Sequence, residues 1–226
     1  MIDYIKSSLE ERRRKENTLH GRDIVMVTHP LPEHVNLDSV LRRVESRVPS
    51  ELTKEVDAIY IGEFDILKKR ELKALYYHST IYVTNEQDNE NDLFKNLVHE
   101  ISHSTEDIKK AELYGDGLIK KEFLKKRLEL FDILSNEGYN VPMKSISNAQ
   151  YDLELDSFLY KEVGYDKLGQ LIIGVFISPY AATSLREYWG TGFQEYIFGD
   201  RNDIKETSPA LYDKLESLFA EAYEGV

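Results

Sequence analysis

The stretch Leu97-Val98-His99-Glu100-Ile101-Ser102-His103 decides how this 226-residue chain is read. It holds H-E-x-x-H within a segment of helical periodicity. On a helix, positions i and i+4 lie about 40° apart around the axis and roughly 6 Å apart along it, so both imidazoles can reach one ion. Leu93, Leu97 and Ile101 form a stripe nearly opposite His99 and His103, which predicts histidines turned away from the core on which the helix packs. Glu100 follows the first histidine directly, where a carboxylate can face a water rather than the ion. The expectation is a site for one Zn²⁺ with a base beside it.

Composition narrows the class. Apolar residues make up 41% and charged residues 31%, with fifteen tyrosines and nine phenylalanines, as in an ordinary globular protein long enough for one sizeable domain. The formal net charge of −12 argues against a nucleic-acid partner, which needs a concentrated basic face. The one basic cluster, Arg12-Arg13-Arg14-Lys15, follows Glu10 and Glu11 and reads as a solvated helix face. With no cysteine, zinc ligands have to come from His, Asp and Glu. No apolar run approaches the length of about eighteen residues that a membrane span needs, and the N-terminus lacks a signal-like apolar core, so a cytoplasmic protein without a membrane partner is expected.

Upstream of the motif, residues 1–19 read as an amphipathic helix with Ile2, Ile5 and Leu9 on one side. Residues 23–28 form a strand stopped by Pro30 and Pro32, and Asn36 or Asp38 caps a helix through about Arg47 that buries Leu37, Val40, Leu41, Val44 and Val48. Residues 56–62 are a second strand. Residues 74–77 and 80–84 are two short strands around His78-Ser79, and either is a candidate to be the edge strand that pairs with an extended substrate.

Downstream, a helix runs from about Leu118 to Ser135, and Gly138 follows as a C-cap glycine. Residues 151–160 predict a helix burying Leu153, Leu155, Phe158 and Leu159, and residues 170–177 are apolar enough to be core. Thr183 or Ser184 caps a helix over 185–198, stopped at Gly199-Asp200. A last helix, 209–223, has Leu211, Leu215, Leu218, Phe219 and Ala222 on one side. His20, His29, His34 and His78 lack ligand spacing and read as turn or surface residues.

A catalytic zinc needs a third protein ligand and an open position for water. Glu106 lies on the histidine face but about 10 Å along the helix from His99, too far to share the ion, so it and Asp107 read as outer contacts or solvated groups. Glu122 falls eighteen residues after His103, near the spacing of thermolysin-like enzymes, but its setting, Lys120-Lys121-Glu122-Phe123-Leu124-Lys125-Lys126-Arg127, looks like an exposed basic helix face. Glu187 is the third candidate, in Tyr180-Ala181-Ala182-Thr183-Ser184-Leu185-Arg186-Glu187-Tyr188-Trp189-Gly190-Thr191-Gly192-Phe193.

That last segment resembles the third-ligand helix of the zincin metalloproteases grouped around anthrax lethal factor and the Pro-Pro endopeptidases, in which a glutamate followed by two aromatics supplies the ligand and a tyrosine seven residues earlier reaches the active site. Tyr180 stands seven before Glu187. The acidic pair Glu106-Asp107 after His103, Leu130-Phe131-Asp132-Ile133 with Glu137-Gly138, and the Pro209-Ala210-Leu211-Tyr212 start of the last helix also match. The resemblance covers about residues 93–140 and 177–220. It departs at Thr191, where the family has a second glutamate, at Gly190 and Gly192, which replace alanines and weaken the helix by up to about 1 kcal/mol each while allowing close approach, and at residues 143–177, which have no counterpart.

The resemblance implies an α+β, zincin-like fold in one catalytic domain over 1–226: an N-terminal helix (1–20), an upper α/β lobe with a small mixed sheet and the active-site helix (21–109), and a mainly helical lower lobe (110–226). It implies a zinc metalloendopeptidase acting on peptide or protein substrates, with His99, His103 and Glu187 as metal ligands, Glu100 as general base and Tyr180 donating to the oxyanion. The rival is a catalytically silent zincin-like structural or assembly protein, for instance a phage particle component, motivated by Thr191 and the two glycines.

Overall fold

The computed structural model describes residues 17–224, so the helix predicted over residues 1–19 lies almost wholly outside the described part. The chain is mixed α+β and divides into two compact units, one running to Thr105 and taking in residues from Ala222, the other spanning Glu106–Glu221.

The first unit is built on a four-stranded sheet of β1 (Val25–Val27), β2 (Ala58–Gly62), β3 (Ala74–Tyr77) and β4 (Thr80–Thr84) in the order β1-β2-β4-β3. The first three in that order are parallel, and β3 is antiparallel to β4. Alternation sorts the side chains: Ile59, Ile61, Ile81 and Val83 are buried, whereas Tyr60 and Tyr82 on the opposite face stack at 5.7 Å and stay half-exposed. His78 and Ser79 both have positive φ, 46° and 57°, giving the two-residue turn whose twist suits a tight hairpin.

Of the two candidate edge strands, β3 is the edge and β4 lies inside. Thr84 N–H donates to the Lys73 carbonyl at 2.9 Å, so in the antiparallel alternation Lys73, Leu75 and Tyr77 face β4, and the backbone groups of Ala74 and Tyr76 point outward.

Helix α1 (Leu37–Arg47) starts as predicted, with Asn36 Oδ1 accepting from Ser39 N, and buries Val40, Leu41 and Val44. It ends at Val48, which precedes Pro49 and is extended at φ −110°. After the short helix α2 (Asp65–Arg70) and the hairpin comes α3 (Glu90–Tyr114), which carries the H-E-x-x-H motif and is interrupted at Lys109, φ −92° and ψ 16°. Asn89 Oδ1 accepts from Asp92 N, and Glu90 accepts from Asn36 N and Ser39 Oγ, so the starts of α1 and α3 are tied together. Leu93, Phe94, Leu97, Val98 and Ile101 are buried.

The second unit contains α4 (Leu118–Asn136), α5 (Met143–Ile146), α6 (Leu153–Ser157), α7 (Tyr165–Leu171), α8 (Leu185–Phe198), α9 (Arg201–Thr207) and α10 (Pro209–Glu224) as far as Glu221. Its core is aromatic: Phe123 lies 5.5 Å from Tyr188 and Phe193 5.2 Å from Phe219, and Trp189 is fully buried. Residues 151–160 are not one helix. The α6 turns widen into a π-helical turn over Phe158–Val163, where Gly164 N donates five residues back to Leu159 O. Leu155, Phe158 and Leu159 are buried as predicted, but Leu153, the first residue of α6, lies about 120–160° around the helix axis from them and is 71% exposed. Residues 170–177 are likewise only partly core: Ile172 and Phe176 are buried, whereas Ile173 is 79% exposed, next to the left-handed Gly174.

Among the described residues, no helix is long and apolar enough to cross a membrane.

Candidate metal centre

Helix α3 presents His99 and His103 one turn apart. Their Nε2 atoms stand 3.2 Å from one another, with ring centroids 4.7 Å apart and planes perpendicular. Two nitrogens bound tetrahedrally to one zinc at 2.0–2.1 Å would be separated by about 3.3 Å, so the imidazoles already have the spacing of two corners of such a site. His103 is 4% exposed, while His99 is half-exposed.

Glu100 is also buried, and its Oε2 accepts from the Tyr76 backbone N–H at 2.6 Å. The donor is one of the outward-pointing amides of the edge strand β3. That bond fixes one carboxylate oxygen and the plane of the group.

Glu187 sits at the third position of α8. Ser184 Oγ accepts its N–H at 3.1 Å, the N-cap bond of an S-x-x-E start. The approach to α8 is held by a buried cation on α4: Arg127 donates to Thr183 O at 2.7 Å and to Ser145 O at 3.1 Å, and burial pushes its pKa down to about 10. Leu185 N donates to Ala149 O at 2.8 Å. Tyr180 heads the short 3₁₀ turn Tyr180–Ala182; its carbonyl accepts from Thr183 N and Oγ1, and the residue is 36% exposed.

One ligand atom from each of His99, His103 and Glu187 lies within 4.8 Å of the others, close enough to hold a metal ion. Two imidazoles and a carboxylate, without a thiolate, fit zinc, and neutral nitrogen donors of this kind also suit other first-row divalent ions.

Glu122 does something else. Its carboxylate accepts from Ala210 N at 2.7 Å, Leu211 N at 3.2 Å and Tyr188 OH at 2.8 Å, which makes it a cap on the start of α10. The basic face predicted around it is solvated at Lys120, Lys121 and Lys125 but not beyond: Lys126 is 6% exposed and Arg127 fully buried, with Lys126 Nζ donating to Val175 O and, at 2.5 Å, to Thr207 O. Burial lowers the Lys126 pKa.

Glu106, read as an outer contact or solvated, is 6% exposed and accepts from Tyr114 OH at 2.8 Å and Arg186 Nη1 at 3.2 Å. The same Nη1 reaches Asp107 Oδ1 at 3.1 Å. Burial works against the Arg186 charge, but the Glu106 and Asp107 carboxylates outweigh it and raise the pKa. Burial, reinforced by Glu106, pushes the Tyr114 hydroxyl far up, so it stays a donor. Sequence reasoning missed Arg186, Tyr114 and the Tyr76 amide; only Arg186 left a signal, as the residue beside Glu187. The other histidines are scattered: His20 and His78 occupy left-handed turn positions, and His34 Nε2 lies 2.9 Å from Asp88 O.

Comparisons with models of known protein families, with curated proteins and with solved structures find nothing that matches this chain.

Proposed function

We propose that the chain is a zincin-type zinc metallopeptidase in which His99, His103 and Glu187 hold one Zn²⁺. The observation that carries this reading is the meeting of those three donors on either side of 83 intervening residues (104–186), with a buried glutamate directly after the first histidine. A zinc ion held there supplies Lewis-acid activation of a water and of the scissile carbonyl.

The remaining steps belong to the chain's own residues. Glu100 Oε1 takes a proton from the attacking water and returns it to the leaving amine, while Oε2 stays on the Tyr76 amide so the carboxylate keeps its aim. Tyr180 donates to the developing oxyanion. The outward-pointing Ala74 N–H and the Ala74 and Tyr76 carbonyls of β3 offer an extended peptide a strand to pair with.

The test is metal analysis together with cleavage of a random peptide library, with and without a chelator. Chelator-sensitive cleavage is expected. Glu100→Ala should keep the metal and lose turnover, His103→Ala should lose the metal, and Tyr180→Phe should lower kcat by about 10²–10³-fold with metal content unchanged. No cleavage at any metal loading would instead identify a silent zincin-like scaffold.

A further inference from the structure

The geometry points to Arg186 as a positioning residue for Glu187: its guanidinium, gripped by Glu106 and Asp107, sets the first turn of α8 and with it the carboxylate offered to the metal. The inference rests on the reading of Glu187 as a ligand and goes beyond it by naming what aims that ligand.

Arg186 is the neighbour of Glu187 in the chain, and both lie in the first turn of α8, where the Ser184 cap fixes the backbone. A cap settles where the turn begins and leaves its rotation about the helix axis to other contacts. Arg186 supplies such a contact. Its Nη1 is shared between Glu106 at 3.2 Å and Asp107 at 3.1 Å, both on the part of α3 that follows His103.

Glu106 is in turn immobilised from its other side by Tyr114 OH at 2.8 Å. The chain Tyr114–Glu106–Arg186 thus runs from a buried hydroxyl to the residue beside the ligand. A buried carboxylate with one neutral and one charged donor is strongly held, because leaving it unpaired is costly. Asp107 is exposed and adds a weaker, screened contact. Groups that orient a ligand from behind typically change metal affinity by about 10–100-fold when removed.

The test compares zinc affinity, by competition with a chromogenic chelator, and the visible spectrum of the cobalt-loaded full-length chain, with thermal stability of the metal-free chain. Arg186→Ala is expected to weaken zinc binding by about 10–100-fold and to alter the cobalt spectrum. Glu106→Gln/Arg186→Ala, which leaves no unpaired buried charge, should show the same loss of affinity with the metal-free melting temperature restored. Because one nitrogen serves both carboxylates, Arg186→Lys should recover most of the affinity. Asp107→Asn, which folds in any case, should lie at the low end, about tenfold or less.

Zinc binding by the double variant equal to wild type, while Glu187→Ala is impaired, overturns the positioning role and leaves the ligand set standing. Wild-type zinc binding by Glu187→Ala overturns both.

Discussion

Residues 120–127 on α4 and residues 180–193 leading through α8 each carry a glutamate with a claim to the metal, and the second unit uses the two in opposite ways. Glu122 faces two backbone N–H groups at the start of α10 and the hydroxyl of Tyr188, so its charge is consumed in holding helices together. Glu187 has its backbone N–H capped by Ser184 and its neighbour Arg186 gripped by Glu106, and a carboxylate oxygen of it lies within 4.8 Å of ligand atoms of His99 and His103. The difference is that the environment of a carboxylate, and not its spacing from a motif, decides whether it can ligate.

The largest expected effect separates the two directly. Glu187→Ala should abolish zinc binding and peptide cleavage while the metal-free protein melts as wild type does; Glu122→Ala should keep metal and turnover and lose stability instead. Metal content, cleavage rate and melting curves of both variants check this. The comparison breaks if the two signatures are exchanged.

Next comes the cation that supports the approach to α8. Arg127 is fully buried and bonded to two carbonyls, so Arg127→Ala leaves those carbonyls unsatisfied around a cavity and is expected to cost about 3 kcal/mol in denaturant unfolding. Glu122→Ala removes a helix cap and strands a buried tyrosine hydroxyl, for about 2 kcal/mol. A loss at Arg127 smaller than that at Glu122 would mean that α8 is held from elsewhere.

These same residues mark where the sequence was readable. Ser184 at the start of α8, Asn36 at the start of α1 and the alternation of β2 and β4 are local signals, and the structure follows them. The H-E-x-x-H spacing is local too, and it places the two Nε2 atoms at a ligating separation. In the run from Lys120 to Arg127 the solvated reading holds at Lys120, Lys121 and Lys125 and fails at Lys126 and Arg127, because charge density in sequence does not show which cations find buried partners. The partners that bury Arg127 lie 18 and 56 residues away, and those of Lys126 49 and 81 away. Leu153 does not share the buried face because helical geometry puts it about 120–160° around the axis from Leu155, Phe158 and Leu159, and as the first residue of α6 it is left in solvent. The grip of Glu106 on Arg186, 80 residues on, was hidden for the same reason as Arg127.

The smallest effect concerns why α8, the helix that carries Glu187, tolerates glycine. A Cβ built on Gly192 would stand 2.4 Å from Leu211 Cδ2 and 3.0 Å from its Cγ, and Leu211 is fully buried, so it has little room to retreat. Alanine in a helix interior gains about 0.8–1 kcal/mol over glycine, whereas overpacking a tight contact costs about 1–3 kcal/mol. The clash therefore wins, and Gly192→Ala is expected to destabilise by about 1 kcal/mol. Truncating the neighbour reverses the balance: in a Leu211→Ala background, itself costly, the same substitution has room for its methyl and should stabilise by up to about 1 kcal/mol. A double-mutant cycle read by denaturant unfolding measures that change of sign. If Gly192→Ala has the same effect in both backgrounds, the glycine does not serve the approach of α10, and the backbone beside Glu187 is set by the Ser184 cap and the Arg186 grip alone.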